Sequence, residues 1–501
     1  MEFLTALQRE ADLTCTENGA LTHTSSGTDC LDLFFRAGGM RAASENDIAG
    51  TVIRAYTEDP ARTMKILFYI RDARGGLGER RFFRIAMQTL AQYEPEAVRR
   101  NIRMFAEYGR YDDLCALLGT ACEPDALTVI RAQLDADRAG MERGEPVSLL
   151  AKWLPSVNAS AAETRANGRK VAAALDLTEK QYRQTLSALR KYTDIIENRL
   201  RERDYTFDYA KQASRAMFKY RKAFIRNDGE RYQAYLGAVE RGEAIMHADV
   251  LYPYDIVRAC GGSDAYSWVG FQDLSVLTAE ERRSLDAAWN ALPVFGDNAE
   301  NALAVVDGSG SMYMNGASPR PIDAALSLGI YFAEHTKGAF AGHFITFSAR
   351  PKLVKIKGRD IAEKVHFCAS YDDVANTDLE AVFDLILRTA VNAHLPQSDL
   401  PAKLYIISDM EFDAAVQGGN QQTLFDAMRS NYAAHGYTLP EIVFWNVASR
   451  HQNIPVSRSQ TGAALVSGAS PAVFDMVIGG EVSPEIVMEQ IIGSERYARI
   501  S

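Results

Sequence analysis

Long apolar runs are missing. Nothing in the 501 residues approaches the roughly 20 consecutive apolar residues that span a bilayer, so no membrane-spanning helix is expected. Cysteine is scarce and scattered. The six cysteines, at 15, 30, 115, 122, 260 and 368, form no Cys-x-x-Cys pair, which argues against a disulfide framework or a zinc ribbon and suits a reduced cytoplasm. The eight histidines include no His-Glu-x-x-His, and the glycines at 308 and 310 are not followed by the lysine of a phosphate-binding loop. The first residues, MEFLTALQREADLT, carry acidic side chains and no continuous apolar core, so they do not read as a secretory signal. A net charge of -10 argues against indiscriminate coating of nucleic acid and leaves a local basic face open.

What is present is ordinary globular material, 47% hydrophobic and 24% charged, in a chain too long for one hydrophobic core. Its organising stretch is NALAVVDGSGSM, Asn301 to Met312. The apolar run Ala302 to Val306 reads as a buried parallel strand that stops at Asp307. Asp307, Ser309 and Ser311 then fall at alternate positions on a turn at a strand's carboxyl end, where open α/β sheets bind ligands. Gly308 and Gly310 let the backbone curl so that the three side chains converge. An all-oxygen donor set suits a hard divalent cation, Mg²⁺ first, with Mn²⁺ or Ca²⁺ also fitting. Thr377, in the polar run before a helical segment at 379–389, adds a hydroxyl. Asp409, ending the second apolar strand KLYIIS at 403–408, adds a carboxylate at the same kind of place.

This order, Asp-x-Ser-x-Ser, then Thr, then Asp, resembles the metal-ion-dependent adhesion site of von Willebrand factor A domains over roughly residues 295–501. The resemblance implies that Ser309, Ser311 and Thr377 bind Mg²⁺ directly. It also implies that Asp307 and Asp409 act partly through water, and that an open position takes a partner's carboxylate. The competing reading is a Gly/Ser turn with unrelated helix caps at 377 and 409.

Taken in order, residues 1–40 hold a hairpin signalled by Asn18-Gly19 and a helix at 29–37, a ribbon expected to pack on the next domain. Residues 41–291 read as helical almost throughout, with segments at 45–56, 60–73, 79–92, 95–108, 112–119, 124–138, 179–189, 194–202, 211–226, 229–241 and 279–291. Paired helices without a strict period suggest an irregular, HEAT-like helical-repeat array. Residues 292–299, around PVFGDN, form a joint. Residues 300–501 alternate as βαβ units should and predict a doubly wound, Rossmann-like sheet.

Two basic runs stand out. Arg62 to Arg110 holds eleven Arg/Lys against five Asp/Glu, and Arg183 to Arg226 holds twelve against five. The second is interleaved with Tyr192, Tyr205, Phe207, Tyr209, Phe218, Tyr220 and Phe224, and arginines beside aromatics serve phosphate and unstacked bases. The alternative is a helix solvated on one side and core on the other. Lys152, Trp153, Ser156 and Asn158 are placed to line a groove, or Trp153 joins the core.

A helical array followed by a von Willebrand A domain resembles the Ro autoantigen family of the TROVE class. It is closer still to an uncharacterised family of bacterial and plant proteins with this layout. The likeness is carried by RDARGGLGERR at 71–81, YGRYDDL at 108–114, LAKWLPSVN at 150–158 and SDMEFD at 408–413. It implies that the array closes into a ring and binds small non-coding or misfolded, single-stranded RNA. The cations assigned to that contact are Arg71, Arg74, Arg80, Arg81, Arg84, Lys152, Arg215, Lys219, Arg221 and Lys222.

The expected function is therefore a non-catalytic Ro-like RNA-binding scaffold, cytoplasmic, with a nuclease or other protein engaged through its metal-binding A domain. The alternative is a metal-dependent adaptor that captures a partner's Asp or Glu without RNA. A hydrolase has only Glu411 and Asp413 as further candidates, too few carboxylates for a two-metal centre and no general base.

Overall fold

The computed structural model describes residues 12–261, 276–295, 301–314, 318–348, 350–371, 378–413, 424–477 and 482–501. Within these, a short ribbon is followed by a helical part that runs to Asn290, and then by a six-stranded mixed sheet with flanking helices, an α/β layout. Among the described residues no helix is long and apolar enough to cross a membrane.

The ribbon pairs β1 (Leu13–Cys15) with β2 (Leu21–His23) antiparallel around Asn18-Gly19, where Gly19 takes a positive φ of 89°. Its docking differs from expectation: it lies on the sheet, not on the helical part. Gly19 bridges to Asp413 and His23 to Ile454, and Thr22 Oγ1 donates to the Ile454 carbonyl at 2.8 Å. The following helix, Asp29–Ala37, is capped by Thr28 and has eight of its nine residues buried. A helix buried on nearly every side, Asp32 and Arg36 included, needs neighbours all round. It has them in the helices Glu45–Glu58 and Pro60–Arg71 on one side and in the last strand of the sheet on the other. Gly38 lets this approach happen, since a Cβ there would overlap the backbone of Gly468.

The helical boundaries follow local signals. Asp59 caps Pro60–Arg71 with proline at its first position, and Thr178-Gln181 and Thr278-Glu281 form capping boxes. The segment expected as one helix over 95–108 is instead Pro95–Asn101, a 3₁₀ turn and Phe105–Tyr108. Asn101 explains the break: its Nδ2 bonds back to the Ala97 carbonyl at 3.0 Å, and its Oδ1 accepts from the Ser501 amide at 3.0 Å. A helix at Ala162–Ala174, unforeseen because Asn167-Gly168 looks like a turn, packs Gly168 against the backbone of Pro155–Val157.

The sheet consists of β3 (Ala302–Asp307), β4 (His343–Phe347), β5 (Leu353–Lys355), β6 (Lys403–Ser408), β7 (Glu441–Asn446) and β8 (Ala463–Ser467). Their order is β5-β4-β3-β6-β7-β8, parallel throughout except for the antiparallel edge strand β5. The order reverses between β3 and β6, whose residues are all buried. A crevice for ligands belongs outside the carboxyl ends of those two strands. One hydrophobic cluster runs through the sheet and most of the helical part; a second, smaller one gathers Phe207, Tyr209, Phe224 and Tyr232.

Candidate metal centre

Asp307 is the last residue of β3, level with Phe347 of β4, and its side chain is wholly buried. Its Oδ1 accepts from the Ser309 amide at 2.9 Å, closing a short Asx turn. The Ser309 carbonyl then starts a helical turn at Ser311–Met314 by accepting from the Met312 amide at 3.1 Å. The result brings the Ser309 and Ser311 hydroxyls to 3.0 Å of each other beside the carboxylate. The alternate spacing read from the sequence thus converges as the donor chemistry requires.

Asp409 follows β6 directly and is also buried. Its Oδ2 accepts from Arg450 Nη2 at 3.0 Å, and its Oδ1 faces the Glu411 amide at 3.3 Å. The turn is tight enough to hold Met410 at φ 66°, unusual for a residue with a side chain. Burial first, and then the Asp409 carboxylate, push Asp307 well above the ordinary carboxylate range. Thr377 lies outside the described residues.

Two residues at this centre were not nominated from sequence. Ser408 Oγ donates to Asp307 Oδ2 at 2.6 Å and accepts from the Met410 amide at 3.1 Å, so it fixes the carboxylate's free edge. Arg450, in the segment after β7, joins Asp409 to Glu17 of the ribbon, the latter at 2.9 Å. No local signal marks either one. Both depend on β6 lying beside β3 and β7.

Glu411, buried beneath the ribbon, tethers it. Its carboxylate accepts from the Glu17 amide at 2.8 Å and meets His451 Nδ1 at 2.8 Å, while its carbonyl accepts from Asn18 Nδ2 at 2.8 Å. Glu17, Glu411 and His451 bring ligand atoms within 4.8 Å of one another. Arg450 already supplies the positive charge that Glu17 faces.

The nominated cations fare differently. Arg71 is 3% exposed and paired with Asp113 at 2.7 Å, so it is an internal strut and offers nothing to a phosphate. Arg84 holds Asp112 and Asp113, Lys152 holds Glu197, Arg215 holds Asp255 and Lys222 holds Glu281. Arg74 and Arg81 reach backbone carbonyls, and Arg221 lies 4.2 Å over the Phe218 ring. Lys219 sits over Tyr220, and Arg80 is exposed. Of the interleaved aromatics, Phe207, Tyr209 and Phe224 form the smaller core and have no face left for a base. Trp153 is half-buried, with Arg110 stacked 3.9 Å over its ring.

The family profile described as "Domain of unknown function (DUF2828)" matches residues 16–133 and 158–293, just over half of the chain. The chain belongs to the DUF2828 family. A second profile, "Domain of unknown function (DUF7788)", matches residues 301–496 and takes in the whole sheet. The DUF2828 match includes the turn and second strand of the ribbon and the helix Asp29–Ala37, which pack on that sheet. The chain is also similar to a viral protein, the uncharacterised protein L728 of Acanthamoeba polyphaga mimivirus. The two are 26% identical over 512 residues, an alignment that covers 94% of this chain and 85% of the viral one. That alignment runs through both the helical part and the sheet.

Proposed function

We propose that the C-terminal unit is a von Willebrand A-type domain that binds a divalent cation, most readily Mg²⁺, and that the protein is a non-catalytic adaptor. It would recognise an Asp or Glu carboxylate of a partner protein. The observation that carries this reading is the convergence of the Ser309 and Ser311 hydroxyls at 3.0 Å beside Asp307, at the point where the strand order reverses. The donors fit the ion: they are all oxygens, and few of them are charged. Asp307, Ser309 and Ser311 would hold it, with Asp409 behind them and Thr377 as the further hydroxyl of the motif. A bound Mg²⁺ supplies a Lewis-acidic position for one carboxylate oxygen.

The chain's own residues do the rest. Ser408 keeps Asp307 oriented, and Arg450 offsets the second buried carboxylate, so that the centre carries little net negative charge to repel an acidic partner. Glu411, one of the two further carboxylates a hydrolase would need, is engaged by the ribbon. The helical part, read as an irregular array of helix pairs, serves as the second docking surface. An RNA scaffold is less well supported, since half of the cations assigned to it are already paired with carboxylates.

The test is affinity purification of the full chain from its native cells in Mg²⁺ and in EDTA, beside Asp307→Ala. Partners should be lost in EDTA and in the variant alike. An unchanged partner set would remove the adaptor reading, and a single co-purifying RNA insensitive to both would restore the scaffold.

A further inference from the structure

Away from the metal centre, a cavity of about 250 Å³ opens between the helix Glu179–Tyr192, the segment Ile196–Glu202 and the loop after Leu150–Trp153. Arg183, Arg190, Lys191 and Arg201 line it, and none of its lining residues is a carboxylate. Positions 183, 187, 190 and 191 share one face of their helix, so three cations and the Ser187 hydroxyl point the same way. The adjoining face, Tyr182, Leu186 and Leu189, is buried and fixes the helix in place, and Tyr182 and Leu186 also border the cavity.

This concentration is unusual for the molecule. Neighbouring cations are spent on carboxylates: Arg199 on Asp194 and Asp204, Lys152 on Glu197. Among the described residues Arg183, Arg190 and Lys191 form no ion pair, and Arg201 meets only the adjacent, exposed Glu202. Arg190 is also fixed in place. Its Nε donates to the Ala151 carbonyl at 2.7 Å and its Nη2 to the Leu154 carbonyl at 3.0 Å, so neutral oxygens orient the guanidinium without neutralising it. Burial pushes its pKa down, and among the described residues no carboxylate pairs with it. A net-acidic protein that gathers four cations around one hollow, one of them half-buried, gains most from an anion supplied from outside.

We infer that this cavity binds a polyphosphate group. Four cations match the three or four negative charges of a di- or triphosphate, whereas a carboxylate or a lone phosphate would leave some of them uncompensated. The size agrees: about 250 Å³ is just below the roughly 300–1,000 Å³ of pockets that enclose a whole small molecule, so the site takes a phosphorylated end and leaves the remainder in solvent. A free nucleotide and the 5′-triphosphate end of an RNA present the same group.

The experiment is calorimetric titration of the full chain, in EDTA to silence the metal centre, with pyrophosphate, ADP, ATP, and a short single-stranded oligoribonucleotide carrying either a 5′-triphosphate or a 5′-hydroxyl. Binding should weaken as salt rises. Arg183→Glu combined with Lys191→Glu, both on exposed positions, should weaken it at least tenfold with unchanged thermal unfolding. Lys211→Glu, on an exposed lysine outside the cavity, should leave it intact. Loss of pyrophosphate and nucleotide binding in the double variant identifies a free nucleotide as the source. Loss confined to the 5′-triphosphate oligonucleotide identifies an RNA end. No binding by any probe at low salt, or equal binding by wild type and double variant, overturns the proposal.

Discussion

The Asp72 carboxylate, wholly buried, accepts from Arg496 Nη2 at 2.7 Å across 424 residues of chain. Arg496 Nε contacts the same group, and Tyr497 Oη donates to it at 3.1 Å. The Asp72 bonds pull the guanidinium pKa up. Around this lock Tyr108 Oη donates to the Arg496 carbonyl, and Arg499 pairs with Glu107 at 2.9 Å. The RDARGGLGERR stretch, which looks from its charge like a ligand-binding loop, is thus where the end of the chain is clasped to the helical part.

The two halves of that clasp are unequal, and the inequality is testable. Asp72→Asn releases a guanidinium that is 40% exposed and can turn to solvent, so it should cost about 2 kcal/mol. Arg496→Ala leaves a buried carboxylate with only neutral donors, the Arg74 amide and Tyr497 Oη, and should cost more, about 3 kcal/mol. Urea midpoints of the two variants decide it. The reverse order would mean that the freed guanidinium, and not the buried carboxylate, is the costlier partner to leave unmatched.

The ribbon and helix Asp29–Ala37 join the sheet to the helical part through Gly38 and Gly39. A Cβ at Gly39 would lie 2.5 Å from the Ser449 amide nitrogen, and one at Gly38 would overlap Gly468. In both cases the obstacle is backbone, which cannot swing aside. Gly38→Ala should therefore destabilise by about 3 kcal/mol through overpacking. Gly50→Ala, inside the helix Glu45–Glu58 with nothing nearer than Arg54 Nη1 at 3.7 Å, should stabilise by roughly 0.5–1 kcal/mol through helix propensity. Thermal unfolding of both variants would show the opposite signs.

Much of the sheet and half of the centre were legible in the sequence. Lys403–Ser408 and the helix Asp29–Ala37 are observed with the boundaries read from the sequence, and the alternation expected over 300–501 is observed as the strands and flanking helices of the sheet. The convergence of Asp307, Ser309 and Ser311 was legible because it is local, set within five residues by the turn that Asp307 closes with the Ser309 amide. Ser408 and Arg450 were not, because a partner 101 or 41 residues away in the chain enters no window of periodicity. For the same reason Arg71 looked like surface charge. Its partner Asp113 is 42 residues on, and only the packing of the intervening helices brings the two together.

The position of Asp307 sets a pH dependence. An unfolded aspartate titrates near pH 4 by its ordinary pKa of about 3.9, whereas burial and Asp409 raise the native value. Above the unfolded value the native chain keeps a proton that the unfolded chain has lost, so stability in EDTA falls as pH rises through the raised native pKa. Below the unfolded value that contribution is fully present. Asp307→Asn, which cannot ionise, should flatten this slope and be more stable than wild type in EDTA above neutrality. If the proposed centre takes Mg²⁺, the ion must displace the same proton, so its uptake should release protons, measurable as different apparent enthalpies in two buffers of unequal ionisation heat. Equal slopes for wild type and variant would show that Asp307 stays ionised throughout.

Arg450 separates the metal's demands from those of the fold. Its guanidinium bonds the buried Asp409 at 3.0 Å and Glu17 at 2.9 Å, and so both neutralises a carboxylate behind the proposed metal ligands and anchors the ribbon. A cation close behind a metal site lowers the field that attracts Mg²⁺, and it also occupies an oxygen of Asp409. Replacing it with an uncharged side chain of similar length, Arg450→Met, should pull two properties in opposite directions. Mg²⁺ should bind several-fold tighter, because Asp409 is unmasked and a repulsive charge is gone. The metal-free chain should lose about 3 kcal/mol, because a buried carboxylate has lost its counter-charge. Calorimetric Mg²⁺ titrations and urea unfolding in EDTA read the two effects separately. Loss of stability with unchanged Mg²⁺ affinity would place Asp409 outside the cation's reach and leave Asp307, Ser309 and Ser311 to hold it from β3 alone.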